Sequence, residues 1–183
     1  MGKVFYALLV GLVGAGIVHL AVILSLPVLA TNTVWLQVVR AVPEFAFLRI
    51  DDKPQLVKSA VPDPHFAIAA CRFEIDDQPV HFFADGRHAM WTLSVFNDRG
   101  EIVFGINDRI AAGRRLDVAV ATPKELVELR KEVPDILSRS VIAETSARRG
   151  FAVLRVFVPD RSWRELADKY LENARCRRLE PPE

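Results

Sequence analysis

Two cysteines are too few to build a disulfide-rich scaffold or a cysteine-only zinc site. A formal net charge of +1 leaves no electrostatic footprint for nucleic acid, so none is expected as a partner. Neither G-x-G-x-x-G nor G-x-x-x-x-G-K-S/T occurs. Gly11, Gly14 and Gly16 lie inside an apolar run, so the usual dinucleotide and phosphate loops are missing. There is no G-x-S-x-G turn to strain a nucleophilic serine. Charge is absent from Val4 through Val39: only Lys3 precedes that stretch, and all 23 Asp and Glu follow it. What the chain does have is apolar. It is 51% hydrophobic with eleven Phe and three Trp, a composition that excludes a disordered polypeptide. The segment from Thr31 onward has the neutral balance of an ordinary globular domain.

Val4–Leu26 reads VFYALLVGLVGAGIVHLAVILSL, with only His19 and Ser25 clearly polar. It spans roughly 34 Å as a helix, enough to cross a hydrocarbon core of about 30 Å. A transmembrane helix over 4–30 is expected, interrupted at Pro27. The alternatives are a cleaved signal peptide ending near Ala30 and a buried core helix; the apolar run is longer than a signal peptide needs. Ala7, Gly11 and Ala15 form a small-xxx-small face suited to helix pairing. His19 has no second ionisable group in the span, so a hydrogen-bonded neutral imidazole is expected rather than a proton relay. Lys3 on one side and Arg40 and Arg49 on the other nearly balance. The very short N-terminal tail then places the N-terminus in the cytoplasm and the domain in the periplasm of a bacterial inner-membrane protein. Region 31–65 reads as a short amphipathic helix, with Trp35, Val38, Val39 and Val42 on one face and Thr31 or Asn32 as its cap. A linker punctuated by Pro43, Pro54, Pro62 and Pro64 follows.

From 66 to 176 the pattern is that of an α+β domain. Phe66–Ile75 and Val80–Ala84 alternate as strands around a turn at 76–79, and Met90–Phe96 and Glu101–Ile106 form a hairpin around Asn97-Asp98-Arg99-Gly100. Leu116–Ala121, Ile136–Thr145 and Phe151–Pro159 are further strands. Thr122, Pro123 and Glu125 make a capping box for a helix running to Val133. A last helix carries Trp163, Leu166, Ala167, Tyr170, Leu171 and Ala174 on one face, and 177–183 is a frayed tail. Short turns between strands imply a mostly antiparallel sheet covered by two helices.

The strings AIAACRFEI, WTLSVFNDRGEIVFGINDR, GRRLDVAVATP and FAVLRVFVPDRSWRELADKYLENARC, behind an apolar N-terminal helix, resemble the bacterial family called domain of unknown function 1254. The likeness is to its short, membrane-anchored proteobacterial type and covers Phe66 to Cys176 plus the anchor. That resemblance implies a companion protein carrying a second β-rich domain, domain of unknown function 1214, which this chain is expected to lack. It implies no activity, so no catalytic residue is carried over.

The candidate chemistry is sparse. His81 and His88 are seven apart across Gly86 and His65 lies in a loop, so no metal site and no cofactor are expected, only solvent-facing or hydrogen-bonded histidines. Asn-Asp-Arg occurs twice, and the first copy, Asn97–Arg99, reads as turn chemistry. Asn107, Asp108 and Arg109 precede a loop with Arg114 and Arg115, with Asp85, Arg87 and His88 across the ladder. Together they are a candidate site for an anionic ligand or a partner's loop. The structural alternative pairs Asp108 with an arginine to tie the loop down. Cys71, in an apolar strand, and Cys176, at the end of the last helix, are the only cysteines; family members resembling this chain tend to carry both. A disulfide is expected, the alternative being two buried thiols. The functional expectation is a membrane-anchored, non-catalytic binding or interaction module. The alternative is a hydrolase subunit whose site a companion completes.

Overall fold

Runs of alternating apolar residues build two sheets, and their shared inner faces make the core. The computed structural model describes residues 2–51, 63–86, 88, 90–131 and 134–179, with the side chains of 27–33 and 135 excepted. Pro54, Pro62, Arg87 and the capping side chains of Thr31 and Asn32 therefore lie outside the described residues, as does the chain beyond Leu179. The elements in order are α1 (Gly2–Ala41), β1 (Leu48–Arg49), β2 (Phe66–Glu74), β3 (Val80–Ala84), β4 (Trp91–Asn97), β5 (Ile102–Asn107), β6 (Asp117–Ala121), α2 (Pro123–Lys131), β7 (Val141–Glu144), β8 (Arg149–Phe157), α3 (Arg164–Asn173) and β9 (Ala174–Arg178).

One sheet has the order β1-β2-β8-β4-β5 and is antiparallel throughout. The other has the order β7-β6-β3-β9, with β6 and β7 parallel, joined by the crossover that contains α2. The fold is α+β, as the sequence predicts. Although β2 and β3 are separated by a short turn, they belong to different sheets. Along β2, Ala67, Ala69, Cys71 and Phe73 point inward, while Ile68 and Ala70 point out. Trp91, Leu93, Val95 and Leu154 from the first sheet share one buried cluster with Phe82, Val118 and Val120 from the second. Each such side chain, fully removed from water, contributes about 1.5–3 kcal/mol. Phe73 meets Phe82 edge-on across the sheets, with ring centroids 5.7 Å apart. Cys71 on β2 and Cys176 on β9 face each other across this core at disulfide distance, with Cα atoms 6.5 Å apart.

Both outer faces are covered. Leu129 of α2 and Leu137 pack with Ala119, Ala121 and Leu179 on the second sheet. Glu125 reaches back to accept the Thr122 amide at 3.0 Å, the reciprocal half of the expected capping box. On the first sheet, Val38 of α1 and Val42 just after it pack with Ile50, Ala70 and Phe151, flanked by Val34, Trp35 and Val153.

Four expectations need correction. The chain does not break at Pro27; α1 is continuous over 40 residues, about 60 Å. One lost donor and local crowding cost about 3 kcal/mol, a cost the helix bears while its end packs Val38 on the first sheet. The 43–65 linker contains β1, held to β2. The strand expected from Ile136 begins only at Val141, because residues 135–137 form a single 3-10 turn after Pro134. Finally, α3 ends at Asn173, Leu166 on it is exposed, and Ala174–Arg178 is a strand instead of a helix end and frayed tail. Cys176 thus sits in β9, where the core side of the alternation is Ala174 and Cys176.

Gly2–Leu26 is long and apolar enough to cross a membrane, and none of it is buried against the domain.

Candidate functional site

The loop between β5 and β6 carries the five residues singled out from sequence. Asn107 ends β5 and folds onto its own backbone: its Oδ1 accepts from the Arg109 amide at 3.0 Å and the Ile110 amide at 3.3 Å. This is the same turn chemistry as at Asn97, whose Oδ1 accepts from the Arg99 and Glu101 amides. Asp108 is 3% exposed and accepts from Arg114 Nη2 at 2.7 Å. Arg109, Arg114 and Arg115 are exposed. Gly113 and Arg114 both adopt left-handed backbone, with φ 61° and 59°. For Arg114 that conformation is costly, and two contacts hold it: the guanidinium on Asp108, and its carbonyl accepting from Trp91 Nε1 at 3.3 Å. The structure thus places Asp108 and Arg114 as a tie between loop and core. Asn107 is committed to a turn, and Arg109 and Arg115 project to solvent.

Behind Asp108 lies a buried polar group that sequence reasoning did not assemble. His88, 5% exposed, lies with its ring centroid 5.9 Å from Trp163 and 5.8 Å from Tyr170. Its Nδ1 is 3.3 Å from the Met90 carbonyl, and its Nε2 is buried without a partner among the described residues. Burial pushes the His88 imidazole below its ordinary value, against the opposing pull of the Met90 carbonyl and the Asp108 charge. Burial likewise raises the Tyr170 phenol, with Asp108 adding to it and the Leu116 backbone opposing it. Tyr170 is legible only as a helix-face residue, and nothing in its spacing points to His88. Asp85 remains exposed at the neighbouring turn.

His81, 2% exposed, lies on the opposite sheet, with Nε2 2.8 Å from Asp117 Oδ1. Ser140 donates to that same carboxylate oxygen. The serine therefore faces the acid and not the imidazole, so the serine–histidine link of a hydrolase is not made here. Burial pushes the His81 imidazole below its ordinary value; the Asp117 hydrogen bond and charge oppose this. Both histidines are hydrogen-bonded, and neither faces solvent. His65 is exposed in its loop. Among the described residues no group of three His, Cys, Asp or Glu is placed to hold a metal ion.

A fourth cluster joins β1 to α3. Asp51 receives Arg49 Nε at 2.8 Å, Arg164 Nη2 at 2.8 Å and the Ile68 amide at 3.1 Å, while Arg49 also reaches Asp168. Burial alone would raise the Asp51 carboxyl, but the Arg49 and Ile68 hydrogen bonds and the two guanidinium charges hold it below the usual range. Beside it an open groove of about 380 Å³ is lined by Pro64, His65, Val158, Pro159, Asp160, Arg161 and Arg164. Asp160 in that groove is occupied in capping Ser162.

No protein-family profile and no curated protein matches the chain in sequence. In fold it is similar to the VPA0106 protein from Vibrio parahaemolyticus, with a TM-score of 0.61 over 84% of this chain and 37% of that one, at 11% identity. An uncharacterised protein from Burkholderia cenocepacia aligns over 74% of this chain and 35% of its own, at 14% identity and a TM-score of 0.48. The chain thus spans little more than a third of either structure, and its likeness to the Vibrio protein is one of fold.

Proposed function

We propose that this is a membrane-anchored bacterial envelope protein of the 1254 type, whose α+β domain faces the periplasm and serves as a non-catalytic interaction module. The observation that carries the reading is α1. Its first 25 residues are apolar and unburied, and the same helix then docks on the domain without a break. Two cysteines aligned for a bond across the core suit an oxidising compartment. Asn107, Asp108 and Arg114 are tied into a turn and an ion pair, and Ser140 faces Asp117 and not His81, which suits binding rather than chemistry. A companion carrying the 1214 domain is the proposed partner. The longer Vibrio chain, in which the matched part is 37% of the whole, agrees with a domain that works beside further structure. Reporter fusions after Leu179 test the orientation. An exported enzyme such as a phosphatase should be active there and a cytoplasm-only fluorophore dark; the reverse pattern would place the domain on the other side.

A further inference from the structure

The four sheet edges are not alike. β9 presents Arg175, Arg177 and Arg178, β1 is two residues long, and β7 is four residues long and ends in Glu144. Charge and shortness are the usual protections of an open edge. β5 has neither: its six residues, IVFGIN, carry no charge, and among the described residues it pairs with β4 alone. Ile102 is 66% exposed, and Val103 and Phe104 are half-buried.

Gly105 sharpens the contrast. At Gly150 an added Cβ would come within 2.1 Å of the Phe96 carbonyl oxygen, so the chain itself requires glycine there. At Gly105 the nearest atom would be the Leu93 carbonyl oxygen at 3.9 Å, an ordinary contact, and no positive φ calls for glycine. A glycine inside a strand costs stability and marks a place where something else approaches. An aromatic side chain on a neighbouring strand laid over the glycine is the usual compensation.

We propose that β5 is a strand-addition edge, which takes an extended apolar segment of a different protein as a further antiparallel strand, with an aromatic side chain over Gly105. Glu101 and Arg109 flank the edge, so the incoming segment is acidic where it starts and basic where it ends. A second copy of this chain is excluded by symmetry. Antiparallel pairing of two β5 strands sets the two-fold axis perpendicular to the sheet. α1 lies along that sheet's outer face from Val34 to Ala41, so the axis would reverse its direction. Two anchors leaving in opposite directions do not fit one bilayer. The choice of occupant therefore rests on α1 being a membrane span.

The test uses the full chain in detergent micelles and a synthetic seven-residue peptide: glutamate first, lysine last, and alternating valine and threonine around a central phenylalanine. Amide exchange is read strand by strand. Saturable slowing of about tenfold is expected in β5 at peptide up to about 1 mM. It should be lost in Ile102→Lys and Gly105→Val, with urea midpoints at or above that of the parent. Absence of slowing in β5, equal slowing in β7 and β9, or a lowered midpoint for Gly105→Val would each overturn the proposal. So would β5 protection that grows with protein concentration without peptide. If that occurs while alkaline-washed membranes retain the chain, the proposal alone fails; if the washes release the chain, the membrane reading beneath it fails.

Discussion

His81 and His88 are imidazoles kept out of water, and their burial sets a pH dependence. In the folded chain both lie below their ordinary value because burial penalises the charged form. The unfolded chain takes up protons near the ordinary value of about 6.5. Between the two, the unfolded state binds more protons, so stability is complete above about pH 7 and is lost as pH falls through 6.5. Asp51 does not act in that window, since its carboxyl sits below the usual carboxylate range. The expected result is a lower stability at pH 5.5 than at pH 7.5, read from urea midpoints. A flat profile would mean that neither ring is held neutral by the fold. At this scale the sequence was partly legible. Asn97 and Asn107 act through their own nearby amides, which is local information. Asp108 with Arg114 is almost local, six residues apart. His88 with Tyr170, or Arg49 with Asp168, depends on how distant elements meet, and no spacing encodes that.

Elements were legible where one period and one punctuation mark coincide. The β4–β5 hairpin has both, with alternating apolar residues around Asn97–Gly100, and the structure reproduces it within a residue or two. β9 has neither. Three arginines in ARCRR hide an alternation whose core side is Ala174 and Cys176, and the preceding helical period runs straight into it. Pro27 is strong punctuation that tertiary docking overrides. That docking makes a separate prediction. Val38 is 4% exposed between α1 and the first sheet, so Val38→Asp buries an unpaired charge and should release this end of α1. Amide exchange across 34–42 should rise at least about tenfold while β8 stays protected. Unchanged exchange would show that α1 does not hold the domain; collapse of β8 as well would show that the docked helix is part of the core.

At the scale of the molecule, two sheets are clasped face to face, and Cys71 and Cys176 stand on opposite sides of the joint, 105 residues apart in sequence. Closing that loop restricts the unfolded chain by roughly 4–5 kcal/mol in the chain-entropy picture. Reduction should therefore lower the urea midpoint markedly, and a midpoint insensitive to reductant would mean that the sandwich does not depend on the clasp. The pairing was legible because there are only two cysteines, although the element holding Cys176 was not. In the proposed reading, this clasped domain sits on a continuous helix that anchors it in the membrane, facing an oxidising space. The most direct test combines both claims. Membranes are washed at alkaline pH, the retained chain is unfolded in the presence of an alkylating reagent without reductant, and the adducts are weighed by mass spectrometry. The account predicts that the chain stays with the membrane and carries no adduct at Cys71 or Cys176. A chain released by the wash, or one alkylated at both cysteines, would contradict it.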